Sequence, residues 1–155
     1  MKQLSVALVL FLAAGAFPLS AQKLEAKPPA SAEKNASLND AAARAATEQL
    51  VAKYTLNADQ AKQVYAIQQR KQRNIAEIEP LKITDRNLYL AKLESLQKGT
   101  LTSLRRVLHT KEQLELYQKT QTDVRVKRAE KRQELTKAKA AKDDIRAALL
   151  DIYEE

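Results

Sequence analysis

Between Ser31 and Glu155 the chain offers one proline, Pro80, and one glycine, Gly99. Strands joined by tight turns need Gly, Pro, Asn or Asp at short intervals to reverse direction, so a stretch with only two strong punctuators cannot be a sheet of short strands. The residues that fill it, Ala, Leu, Lys, Gln, Arg and Glu, are good helix formers. The fold class is therefore all-α, in long helices and in one domain at this length. The sequence contains no cysteine, so stability must come from packing or self-association rather than from disulfides.

Apolar spacing and capping residues place the helices. The first is expected from about Leu38, with Ser37 as cap, Asp40 favouring the positive helix end, and a thin stripe of Ala42, Ala45, Ala46, Leu50 and Tyr54. The second follows Asn57-Ala58-Asp59-Gln60. The Asn57 side chain can accept from the first free amides, and Gln60, three residues on, can reach back to the Asn57 amide, which is a capping box. Its stripe is Ala61, Val64, Ile67, Ile75 and Ile78, and Pro80 stops it near Glu79, giving a rod of about 33 Å. Thr84 or Asp85 caps a third helix marked by Leu90, Leu93, Leu96, Leu101, Leu104 and Leu108. The short link at Pro80 makes these two helices an antiparallel hairpin. Gly99 inside the third helix reads as a close crossing or a bend. Thr110 with Gln113 then repeats the capping box before a further helix.

The ends carry different information. Residues 1–21 have Lys2, an apolar run from Leu4 to Phe17, and small residues at Ser20 and Ala21, the layout of a secretory signal peptide cleaved near Ala21. Residues 22–37, with a Pro-Pro pair and one leucine, read as a flexible leader. Residues 38–124 form the helical domain and 125–155 a basic helical extension. Loss of Lys2 turns the +8 of the whole chain into +7, and residues 125–142 concentrate the excess around Glu130 and Glu134 alone. Two readings of that run stand: a solvated helix, or an arm for acidic clients and weak contact with an anionic membrane surface. Ile145, Ala148, Leu149 and Ile152 space a short amphipathic helix. It either packs on the bundle, forms a dimer contact, or mimics a client and covers the basic face.

The segments "LNADQ" at 56–60 and "LHTKEQLELYQK" at 108–119 resemble the paired LTxxQ motif of the Spy/CpxP group of periplasmic helical proteins. The motif positions are Leu56, Asn57 and Gln60 in the first copy and Leu108, Thr110 and Gln113 in the second, with Asn57 in place of threonine and His109 inserted after Leu108. The resemblance covers roughly residues 45–120. It implies a helical hairpin that pairs with a second copy into a thin, curved homodimer and holds unfolded or partly folded envelope proteins without nucleotide, as a stress-response chaperone of the periplasm. Under that reading client contacts fall to the basic and apolar positions Arg70, Lys71, Arg73, Ile75, Ile78, Arg105 and Arg106. An envelope-stress regulator that binds a sensor domain and a Skp-like holdase are the alternatives, the latter requiring strands for its trimer body.

Other classes fare worse. One histidine, no cysteine and no glycine-rich phosphate loop argue against an enzyme and against a cofactor. His109 alone does not make a metal site. Nucleic-acid binding fits the charge but conflicts with export, and the five tyrosines are spread singly rather than as a stacking platform.

Overall fold

The computed structural model describes residues 30–155, which form six α-helices; among the described residues there is no strand. The helices are α1 (Ala30–Tyr54), α2 (Ala58–Ile78), α3 (Leu81–Thr84), α4 (Arg86–Val107), α5 (Lys111–Lys137) and α6 (Lys142–Asp151). The all-helical expectation and the long hairpin with flanking helices hold. The expected signal segment, and the leader as far as residue 29, lie outside the described residues. Helix α1 begins at Ala30 rather than near Leu38: Ala and Glu after the proline pair extend the helix back through the second half of the expected leader. No described helix is long and apolar enough to cross a membrane.

Helix α1 packs along α2, α2 along α4, and α6 lies on both α4 and α5. The α1–α2 link is a Schellman turn: the Leu56 amide donates to Val51 O at 3.1 Å, with Thr55 left-handed at φ 50°. The same turn ends α5, where Lys139 takes φ 56° and the amides of Lys139 and Ala140 donate to Thr136 O and Leu135 O. Non-glycine residues hold both positive-φ positions, so the glycine that usually announces such a helix end is missing from the sequence.

The expected Ser37 cap is not formed, because Ser37 lies inside α1, but the other caps are met. Asn57 and Gln60 form the reciprocal box, as do Thr110 and Gln113. Asp85, not Thr84, caps α4 by accepting from the Leu88 amide at 2.9 Å. The stripe of α1 needs correction: its buried face is Ala43, Thr47, Leu50 and Tyr54, while Ala42 and Ala45 are exposed. Thr47 can sit inside because its hydroxyl donates to Ala43 O at 2.7 Å, leaving no polar atom unpaired. Gly99 is neither crowded nor crossed, since a Cβ there would meet nothing within 4 Å. The core gathers Leu50, Tyr54, Leu56, Val64, Ile67, Leu104, Val107 and Leu108, with Val51, Leu114 and Tyr117 against it. It therefore lies where α1 ends, α2 begins, α4 ends and α5 begins.

Candidate functional site

Three features share the inner side of this frame. The first is a joint between the two capping boxes. Gln60 Nε2 donates to Gln113 Oε1 at 3.0 Å and Gln113 Nε2 donates back to Gln60 Oε1 at 3.2 Å. Each amide nitrogen also reaches a main-chain carbonyl of the other motif's neighbourhood, Gln60 to Val107 O at 2.8 Å and Gln113 to Tyr54 O at 3.2 Å. Each side-chain oxygen closes its own cap as well, accepting from Asn57 N, or from His109 N and Thr110 N. Both glutamines are buried, so the pair satisfies helix-end groups that water cannot reach. His109 is absorbed without loss: the T-x-x-Q register from Thr110 is kept, and Leu56 and Leu108 are both buried despite their different distance from the cap. These motif residues hold the frame together.

The second feature is an open groove of about 470 Å³ between α2 and α4. Arg70, Lys71 and Lys92 line it with a single carboxylate, Glu77, and Ile78 and Leu96 supply apolar floor. Gly99 contributes a wall without a side chain. Arg70 lies 3.4 Å from the Ser103 hydroxyl across the groove. The structure thus brings Arg70, Lys71 and Ile78 together. Arg73, Ile75, Arg105 and Arg106 do not line it; Ile75 is half-buried, and the three arginines are exposed.

The third is the segment after α6. Leu150 is buried and Ile152 to Glu155 run inward among α1, α2 and α5. The Glu155 carboxylate meets Lys71 and Gln68, and the Lys71–Glu155 side chains are only 18% and 8% exposed. Lys127 pairs with Glu154 at 2.6 Å, and this contact holds the Glu154 carboxyl below the usual carboxylate range. Burial, and then the Glu155 carboxylate, push the Tyr153 hydroxyl far above the ordinary phenol range. Helix α6 is anchored behind it by Arg146–Glu94 at 3.1 Å and Arg86–Asp144 at 2.7 Å.

Sequence reasoning missed Gln68, Lys53 and Gln121, which sit singly on three helices, and Tyr153, which follows α6, because only the fold assembles them. Among the described residues no three His, Cys, Asp or Glu side chains gather as metal ligands would. The fold and site define an all-helical frame whose two repeated helix starts are tied to each other and whose inner side is basic and partly apolar. Compared with protein-family models, curated proteins and solved structures, the chain matches none.

Proposed function

We propose that the chain is an ATP-independent holdase of the cell envelope, binding unfolded or partly folded polypeptides and resembling the Spy/CpxP group. The observation that carries this reading is the α2–α4 groove, where Arg70 and Lys92, with Lys71 held by Glu155 at its edge, border an apolar floor in a shallow, open trough. Such a surface attracts acidic segments over several ångströms and holds apolar side chains through many weak contacts, without a deep pocket or a reacting group. The paired motif and the export-like N-terminus support the compartment. Large exposed apolar side chains, Ile83 at 93% and Leu38 at 59%, offer surface for a second copy; light scattering coupled to size exclusion should report twice the chain mass.

The test is light scattering of a chemically denatured acidic client diluted with and without the protein. Protection should appear at a few-fold molar excess and weaken with salt, since attraction between exposed charges is screened beyond about 8 Å at physiological ionic strength. Arg70→Glu with Lys92→Glu should weaken it, whereas Arg105→Glu with Arg106→Glu, outside the groove, should not. No protection at any ratio overturns the holdase reading.

A further inference from the structure

Ile152 to Glu155 are gripped in a manner that suits a peptide ligand better than a packed helix end. Their main-chain oxygens are read by framework side chains: Arg128 Nε donates to Ile152 O at 2.8 Å, Gln121 Nε2 to Glu154 O at 3.1 Å and Lys53 Nζ to Glu155 O at 2.6 Å. Such contacts recognise an extended backbone whatever its side chains. A second set reads charge, with Lys71 and Gln68 on the Glu155 carboxylate and Lys127 on that of Glu154. The Tyr153 ring is inserted between the two sets, with Lys71 Nζ 4.8 Å from its centroid.

The fit is incomplete. On the slot side Gln68 Oε1 is buried without a hydrogen-bond partner, and so is Tyr153 Oη on the tail itself, which native interiors normally avoid. A cavity of about 310 Å³ remains beside the tail, lined in part by Lys53, Lys71 and Tyr153. The unpartnered Gln68 Oε1 and the free space beside the tail leave room for a segment that fills the slot more completely than Ile152–Glu155 does. Lys71 lines the α2–α4 groove as well, so slot and groove are continuous through one side chain.

We propose that this slot is a receptor for extended acidic segments of other polypeptides that carry an aromatic residue, and that Ile152–Glu155 is its intramolecular competitor. The proposal rests on the holdase reading and names both the preferred client chemistry and its regulation: a client must displace the tail, and the tail returns when the client leaves.

The test uses a fluorescently labelled peptide of sequence LLDIYEE, its control LLDISQQ, and anisotropy. In the full chain, Glu154→Lys with Glu155→Gln removes the charge contacts of the tail and leaves its Tyr153 and the helices in place. This variant should bind LLDIYEE at least tenfold tighter than the unaltered chain and ignore LLDISQQ, and adding Lys71→Glu should return binding to the unaltered level. Equal binding by the unaltered and released chains, or equal binding of both peptides, overturns the proposal. So does binding of anionic phospholipid vesicles by the released chain without binding of the peptide. If the released variant loses helix content, LLDIYEE titrated into the unaltered chain must sharpen the Glu154 and Glu155 amide resonances as the tail is displaced; no change at saturating peptide overturns the proposal equally. Peptide capture by a released chain that protects no denatured client leaves the slot standing and removes the holdase reading. Enhanced protection without peptide binding does the reverse.

Discussion

The two ends of the α2–α4 hairpin use the same local device in different surroundings. At the motif end Asn57 and Thr110 cap helices whose Gln60 and Gln113 meet in the interior beside Val64, Leu104 and Leu108. At the turn end Asp85 caps α4 alone, in solvent, next to α3, where no residue is buried. Ile83 there is 93% exposed. A cap bond is worth about 1 kcal/mol wherever it forms; it becomes structural glue only when its partners are shared and desolvated. The motif end is thus the fixed point of the frame, and the turn end is expected to open first under hydrogen exchange.

The sharpest way to break that contrast is to empty the core. Leu104 is fully buried, and Leu104→Ala should cost about 3 kcal/mol through lost transfer energy and a residual cavity. Ile83→Ser at the other end should stay within about 0.5 kcal/mol, as surface substitutions do. Urea denaturation followed by far-UV circular dichroism measures both; similar losses at the two positions would mean that the ends are not distinct.

The glutamine pair comes next. Gln113→Leu orphans the carbonyl of Tyr54 and the amides of His109 and Thr110 and removes two bonds of Gln60, so a loss of about 2 kcal/mol is expected from unsatisfied buried groups. Asp85→Ala should cost no more than about 1 kcal/mol. Because Gln60 and Gln113 share partners, Gln60→Leu with Gln113→Leu should cost clearly less than the two single changes added together. Additive losses would show that the two caps act independently.

Both capping boxes were legible because they are local: three-residue spacing and residue type suffice to write them down. Their meeting was not, since nothing in either motif states that its glutamine has a second amide for a partner about fifty residues away. The α1 face was misjudged for a similar reason. Alanines carry little periodic signal, and Thr47, polar by composition, turns inward only because its own helix satisfies it. The slot of the tail was half visible: the charge reversal after Asp143 suggested a covering of the basic face, but Gln68, Gln121 and Lys53 stand on three separate helices. The groove side was legible at Arg70, Lys71 and Ile78, and lost at Arg105 and Arg106, where charge alone did not say which face it occupies.

Glycine placement offers a smaller and subtler handle. Gly99 sits in open space within α4, so Gly99→Ala should stabilise the middle of the hairpin by about 1 kcal/mol through lower unfolded-chain freedom. Thr55 adopts φ 50° at the motif end, a conformation unfavourable to a β-branched residue. Thr55→Gly should stabilise by roughly 0.5–1 kcal/mol, the relief of strain being partly offset by glycine's greater freedom when unfolded. Thermal melts of the two variants locate spare stability on either side of the comparison, and a destabilised Thr55→Gly would mean that its side chain contributes more than its backbone costs.

The smallest effect concerns how α1 is tied to the hairpin away from the core. The Asp40 carboxylate accepts from the Tyr65 hydroxyl, from Gln69 Nε2 at 3.1 Å and from Arg44 Nε at 2.9 Å. The Tyr65 hydrogen bond first, then that of Arg44, hold its carboxyl at about 2. A carboxylate depressed on folding contributes stability that is complete above its unfolded value near 3.9 and is lost as pH falls through the folded value. The group is at the surface, so the contribution is screened and salt-sensitive. The melting temperature of the unaltered chain should therefore exceed that of Asp40→Asn by a small, constant margin from pH 5 to 7, and the margin should shrink between about pH 4 and pH 2 and in high salt. A margin that persists unchanged at pH 2 would assign the stabilisation to the shape of the Asp40 side chain rather than to its charge, and the tie between α1 and α2 would then rest on packing, with Ala43, Thr47, Leu50 and Tyr54 as its buried face.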